Sequence, residues 1–192
     1  MEDIKKIKFG TEEIVVTKIP DAEKLTGELL KSMNSNRGNF ETSHKIMGRW
    51  ENSYLSIEQV PMVREVMRCA RDVGVKVLNL KTVVLFDAKK QKLSRYSSFW
   101  FNIAKKGEVT GLHHHASNSE LSGVTYLQSD RNSGNLFFKK DGIKEIELEP
   151  QVGRLVLFPS SIRHGVRENR SDAERISLAF NLFHFPLMEF DL

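Results

Sequence analysis

Cysteine is almost missing from this chain: Cys69 is the only one, so no disulfide can form within it. That excludes a disulfide-stapled scaffold and suits a reducing cytoplasm, with Cys69 itself expected to be a structural thiol. A long apolar stretch is also lacking. The first residues, MEDIKKIKFG, alternate charged and apolar, so neither a signal peptide nor a membrane span is expected. Charge of one sign is not in large excess either: 29 basic residues stand against 25 acidic, a formal net charge of +4. One denser basic run, Lys89, Lys90, Lys92 and Arg95, reads as a solvated loop and not as a nucleic-acid site. No Ser-His-Asp order, glycine-rich phosphate loop, CxxC pair, fixed-period repeat or low-complexity tract is found, which leaves hydrolase, nucleotide-binding and zinc-finger readings without support.

What is there suffices for one core. With 192 residues and 40% hydrophobic content the chain is expected to form a single domain over 1–192. Residues 4–18 alternate around Ile7, Phe9, Ile14 and Val16 and predict one or two strands before Pro20. Asp21 is a candidate N-cap for a helix near 22–33, where Ala22, Leu25, Leu29 and Met33 recur at helical spacing. A loop rich in Asn, Ser and Gly should follow.

A second helix is predicted over about 57–73, on the stripe Val63, Val66, Ala70 and Val73, with Gly74 at the C′ position. Its start is open: Ser56 with Gln59 resembles a capping box, whereas Pro61 favours a start at Pro61 itself. From residue 75 onward the runs VKVLNL, TVVLFDA, SSFWFNIA, LSGVTYLQ, NLFFKK, EIELEP, GRLVLFPS and RISLAFNLFHF read as strands. Helices followed by about eight strands predict a mainly β fold with flanking helices, a jelly roll or double-stranded β-helix, in which 1–74 support a catalytic core over 75–192.

Four of the six histidines stand at chemically suggestive places in this strand-rich half: His113, His114 and His115 in a row, and His164 after LVLFPSS. In an extended segment alternate side chains share a face, so His113 and His115 can converge on one ion while His114 points elsewhere. A jelly roll brings remote strands together, which makes His164 the candidate third ligand. Three imidazoles suit Fe, Zn, Cu or Ni and leave coordination positions open. Further on, Arg175 and Ser177 share a face of RISLAF, where a guanidinium and a hydroxyl can grip a carboxylate together. A surface histidine run without metal, and an Arg175 paired at a sheet edge with Glu174 or Asp172, are the alternatives. His44 and His184 are expected to be ordinary polar or packed histidines.

The ordered runs WFNIAKKGEVTGLHHHASNSELSGVTYLQ, LVLFPSSIRHGV and ERISLAFN resemble the 2-oxoglutarate and Fe(II)-dependent oxygenases, and more narrowly a family of them found in bacteria and phages. That family shows W-x-N, H-x-H-P, S-G-x-Y-Y, F-P-x-x-x-x-H and R-I-S-x-x-F-N patterns, and the resemblance covers about residues 99–181. The resemblance implies Fe(II) held by His113, His115 and His164, and 2-oxoglutarate held by Arg175 and Ser177. It adds Tyr126 as a further contact to that carboxylate and Asn102 as a residue facing the pocket. It also implies oxidation of a C–H bond with O2, giving a hydroxylated product, succinate and CO2. The departure from the wider superfamily is His115, which stands where most members carry Asp or Glu. In the alternative register His114-x-Ala116 that position would be open, as in 2-oxoglutarate halogenases. Two rivals remain at this point: a cupin-like three-histidine dioxygenase without 2-oxoglutarate, and a non-catalytic jelly-roll binding module. The expected partners are 2-oxoglutarate, O2 and an unidentified substrate, with a homodimer among the assemblies open to it and no membrane.

Overall fold

The computed structural model describes residues 4–46, 49–85, 98–115 and 119–186. The chain opens with strands β1 (Lys5–Phe9) and β2 (Glu12–Lys18), as the alternation predicts, and helix α1 (Ala22–Ser35). Asp21 stands at the N-cap position of α1 in the left-handed region, φ 44°, and makes no side-chain cap. Only its carbonyl serves the helix, accepting from the Leu25 amide at 2.9 Å. A short 3-10 turn, Arg37–Asn39, leads into β3 (Glu41–Ile46) and β4 (Arg49–Tyr54), an antiparallel pair where the sequence suggested a polar loop. Their residues lack the apolar alternation by which strands are read, because one end of this pair meets a buried ion cluster instead of an oily core.

Helix α2 (Val63–Leu78) starts later and ends later than expected. Ser56 and Gln59 form half of their capping box, with the Ser56 amide donating to Gln59 Oε1 at 2.9 Å, but they close a turn before the helix. Gly74 is not its terminus. It lies inside α2, where its bare Cα lets Leu121 approach. The stop is Asn79, in the left-handed conformation at φ 55°, one of the few side chains that tolerate it. The run VKVLNL is therefore the end of a helix and not a strand; its Val75 is exposed, so period-2 apolarity there was accidental.

The remaining strands are β5 (Thr82–Val83), β6 (Phe99–Ala104), β7 (Thr110–His113), β8 (Leu121–Gln128), β9 (Leu136–Lys140), β10 (Ile143–Leu148), β11 (Arg154–Pro159), β12 (Arg163–Val166) and β13 (Arg175–His184). Strands β7 and β12 are too short and too polar to have been read from the sequence, yet they carry histidines of the candidate site. The basic run at Lys89, Lys90, Lys92 and Arg95 lies outside the described residues, as does Ala116.

A nine-stranded sheet runs in the order β1-β2-β11-β8-β13-β6-β4-β3, with β5 on the end of β13; a four-stranded sheet runs β10-β9-β12-β7. Strands β1 to β4 hydrogen-bond into the same large sheet as β6, β8, β11 and β13, and residue 74 lies inside α2. Alternation then sorts the side chains. On the outer face of the large sheet Phe99, Phe101, Leu155, Leu157, Leu178 and Phe180 meet the apolar stripes of α1 and α2. Gly123 belongs to this layer: a Cβ there would meet Phe180 Cε2 at 2.3 Å, so the missing side chain is what lets the ring lie flat on β8. Between the sheets, Phe9, Ile14, Val156 and Phe158 pack on Leu136 and Phe138 of the small sheet. Each such fully buried side chain contributes about 1.5–3 kcal/mol. This inner layer closes one end of the sandwich and leaves polar residues to line the other.

Candidate active site

The small sheet supplies two imidazoles from facing strands. His113 ends β7 and His164 lies in β12, and the two are direct cross-strand partners. Their rings stand 4.4 Å apart between centroids. His113 Nδ1 lies 2.7 Å from the Gly111 carbonyl and His164 Nδ1 lies 3.0 Å from the Ile162 carbonyl. A carbonyl only accepts, so each Nδ1 carries the proton and each Nε2 presents a lone pair. Fixing the tautomer through the other ring nitrogen is the usual support for a metal-ligating histidine.

His115 follows β7, its amide donating to the Ser160 carbonyl at 2.8 Å. Its ring meets the edge of His113 at 4.9 Å and packs on Trp100 at 5.6 Å. One nitrogen from each of His113, His115 and His164 lies within 4.8 Å of the other two. His114 is exposed and outside the group, as alternation requires, and His44 and His184 are not part of it either. His44 instead bonds Ser43 Oγ at 2.7 Å within β3.

Burial keeps His115 and His164 neutral. Desolvation, with the neighbouring imidazoles adding to it, pulls His115 down to about 4. His164, packed against Phe158 with centroids 4.5 Å apart, is lowered well below the ordinary imidazole range, again chiefly by burial. Neutral rings are what a metal needs, since a protonated imidazole has no lone pair to give. Three neutral donors with no carboxylate would also leave the charge of a divalent ion undiminished.

Across the inner space, β6, β13 and β8 put a polar row on the large sheet. Ser177 is the register partner of Asn102 on one side and of Tyr126 on the other. Arg175, two residues before Ser177, shares that face and is 1% exposed. Its Nη1 donates to the carbonyls of Ser133 at 2.6 Å and Arg167 at 3.2 Å, while Nη2 is buried without a partner. The Tyr126 hydroxyl is likewise buried and unpartnered. Neither Glu174 nor Asp172 pairs with Arg175: Glu174 bonds Arg37, and Asp172 bonds Lys106. Burial pulls the guanidinium down to about 10, still cationic at neutral pH, and pushes the Tyr126 phenol up to about 12, so it stays a donor.

A turn between β8 and β9, missed in the sequence, cradles this guanidinium. Gly134 has φ 95°, and a Cβ there would lie 2.1 Å from the Arg167 carbonyl and 2.7 Å from Arg175 Nη1. Only glycine fits, and the S-G pair after Asn132 was the available signal. The donor set matches a carboxylate ligand: a buried cation without a counter-anion among the described residues, one free N–H edge, a free phenol and a neighbouring hydroxyl. A carboxylate would satisfy all of them.

Asn102 lies on this row with its side-chain amide engaged by the protein itself. Its Oδ1 accepts from Arg49 Nη2 at 2.8 Å and its Nδ2 donates to the Glu51 carbonyl at 3.0 Å and to Oε2 at 3.1 Å, so both amide protons are engaged. It belongs to a buried cluster that sequence reasoning did not find. Arg49 bonds Glu51 Oε1 at 2.8 Å and the Val109 carbonyl at 2.7 Å, and Thr110 Oγ1 donates to Glu51 Oε2 at 3.0 Å. The cluster ties β4 and β6 to the start of β7, hence the sheet bearing Arg175 and Ser177 to the strand bearing His113.

Comparisons with known proteins agree with this geometry. Residues 98–181 match the model of a family described as "Putative 2OG-Fe(II) oxygenase". No curated protein matches the sequence. Among solved structures, a Trichoplax adhaerens prolyl hydroxylase, in complex with a hypoxia inducible factor oxygen degradation domain peptide fragment, superposes with a TM-score of 0.66 at 14% identity over 89% of this chain and 83% of its own. A Pseudomonas putida prolyl-4-hydroxylase gives 0.62 at 17% identity over 91% and 94%. The epimerase SnoN from nogalamycin biosynthesis, in complex with Fe3+, alpha ketoglutarate and nogalamycin RO, gives 0.67 at 11% identity over 89% and 78%. These likenesses show the double-stranded β-helix, and the matched segment spans β6 to the middle of β13, with all three clustered histidines and Arg175 inside it. By that segment and the fold around it, the chain is similar to the 2OG-Fe(II) oxygenases.

Proposed function

We propose that this protein hydroxylates a C–H bond of a second substrate, converting substrate, 2-oxoglutarate and O2 into alcohol, succinate and CO2. The observation that carries the reading is the buried Arg175, whose free Nη2 has no carboxylate to meet among the described residues and which shares an inner space with three clustered imidazoles. In this reading His113, His115 and His164 hold Fe(II), which when bound supplies the redox chemistry that activates O2.

The residues of the chain set where that chemistry occurs. The Arg175 fork, the Ser177 hydroxyl and the Tyr126 phenol fix the distal carboxylate of 2-oxoglutarate, which orients its oxo-acid end toward the histidines. Phe158, Phe138 and Trp100 wall the histidine cluster with apolar surface and keep water from its back. Asn102 acts at one remove, holding the Arg49–Glu51 pair beside Ser177. Fe(II) and a lone thiol both suit a reducing compartment, and we place the reaction in the cytoplasm.

The test is succinate release from 2-oxoglutarate by the Fe(II)-loaded protein, with and without candidate substrates. Fe(II)-dependent succinate is the expected result. Metal binding without any 2-oxoglutarate binding would turn the reading into that of a cupin-like dioxygenase, and absence of both would leave a binding module.

A further inference from the structure

Six buried side-chain atoms lack a hydrogen-bond partner among the described residues: Thr82 Oγ1, Ser98 Oγ, Thr125 Oγ1, Tyr126 Oη, Ser133 Oγ and Arg175 Nη2. They are not scattered. Thr82 and Ser98 lie by the far end of β13, where Thr82 is the register partner of His184 and the Ser98 carbonyl accepts from Asn181. Thr125 alternates with Leu121 and Leu127 on the face toward the helices. The other three belong to Arg175 and to residues around it: Nη2 is its own, Tyr126 stands across the ladder from Ser177, and the Ser133 carbonyl receives Nη1 at 2.6 Å.

Ser133 is fully buried, and its turn is held from both sides. Its amide donates to the Asp130 carbonyl at 3.2 Å, the Arg170 amide donates to the Asn132 carbonyl at 2.9 Å, and the Arg167 amide to the Asn135 carbonyl at 2.9 Å. The turn that carries the hydroxyl is therefore fixed beside the head of Arg175, which its carbonyl touches. Burying a hydroxyl with no partner costs free energy, and an alanine of nearly the same shape would avoid that cost. An aliphatic residue would serve the turn as well unless the hydroxyl meets something that arrives later.

We propose that Ser133 is a further co-substrate-binding residue, its hydroxyl donating to the same carboxylate that Arg175 and Tyr126 receive. This rests on the reading of Arg175 as the clamp for 2-oxoglutarate. It gives the carboxylate a donor from the β8–β9 turn in addition to those from the sheet. The turn thereby acts twice on the ligand: its carbonyl aims the guanidinium and its hydroxyl touches the anion.

The experiment compares the Fe(II)-loaded parent and Ser133→Ala under anaerobic conditions, by calorimetric titration with 2-oxoglutarate and by melting without it. Ser133→Ala should bind 2-oxoglutarate about tenfold more weakly or worse, the scale of one hydrogen bond to a charged group. Its melting temperature without 2-oxoglutarate should equal or exceed that of the parent, because an orphaned hydroxyl has been removed. Equal affinity in parent and variant overturns the assignment of Ser133 and leaves the clamp intact. A clear fall in melting temperature without ligand also overturns it, since the hydroxyl would then serve the fold. No binding of 2-oxoglutarate to the parent overturns the reading of Arg175, and Ser133 with it.

Discussion

His113 and His164 stand opposite one another in the β7–β12 ladder, and each ring gives its Nδ1 proton to the carbonyl two residues before it. The same local device on two facing strands aims both Nε2 lone pairs into the space between the sheets. Replacing His164 with Ala should therefore lower Fe(II) affinity by more than about 100-fold, because loss of a metal's outer-shell support alone costs 10–100-fold. Elemental analysis after equilibrium dialysis measures it, with circular dichroism expected to retain the β signature; unchanged metal content would remove His164 from the site.

Arg175→Lys keeps the charge and loses the planar fork. Affinity for 2-oxoglutarate should drop by about 1.5–3 kcal/mol, the range for hydrogen bonds to charged groups, with Ser177→Ala costing less. Metal content should stay near that of the parent in both. Anaerobic titration decides, and an Arg175→Lys that binds as tightly as the parent would show that the guanidinium is not the clamp.

Gly134→Ala introduces a Cβ against the Arg167 carbonyl at a φ of 95°. The turn must shift, and Arg175 loses the carbonyl that aims Nη1. We expect weakened 2-oxoglutarate binding together with a lower melting temperature, in contrast to the pattern expected of Ser133→Ala. Wild-type values for both would mean that the turn yields without disturbing the guanidinium.

The Arg49–Glu51 pair is buried on both sides, with side-chain exposures of 10% and 5%. Among the described residues Glu51 is held by Arg49 and otherwise only by the neutral Asn102 and Thr110, so Arg49→Ala strands its charge and should cost about 3–5 kcal/mol. For a chain of this size that corresponds to a melting temperature lower by roughly 6–20 °C. Thermal unfolding of the metal-free protein tests it, and a shift within a degree would show that water or another group already compensates Glu51.

Stability of the metal-free protein should fall on mild acidification. His115 titrates near 4 in the fold and His164 well below its usual range, whereas both take up protons near 6.5 when unfolded. Below about 6.5 the unfolded state therefore binds more protons, and each ring costs about 1.4 kcal/mol per pH unit, for His115 until about 4. Urea unfolding at several pH values should show this slope, reduced in His115→Gln. An identical slope in parent and variant would mean that His115 is not held neutral by its surroundings.

The sequence by itself determined the strands whose alternation separates an oily face from a polar one, namely β1, β2, β6, β8, β9, β11 and β13. It also determined the candidate ligands, because spacing two along a strand fixes a shared face for His113 with His115 and for Arg175 with Ser177. What it could not decide was anything set by partners remote in the chain. Strands β3, β4, β7 and β12 are polar or short, and they exist because neighbours supply their ladders and, for β4, because Arg49 and Glu51 bury each other. VKVLNL became the end of a helix since packing of Gly74 on Leu121 carried α2 past the point where local signals stopped it. Asn102 was legible as an inward residue, but only the tertiary structure gave its amide to Arg49 and Glu51. The turn that brings Ser133 and Gly134 around Arg175 depends on a contact across 42 residues. No periodicity records such a contact, because its stabilising partner is a buried charge elsewhere in the chain.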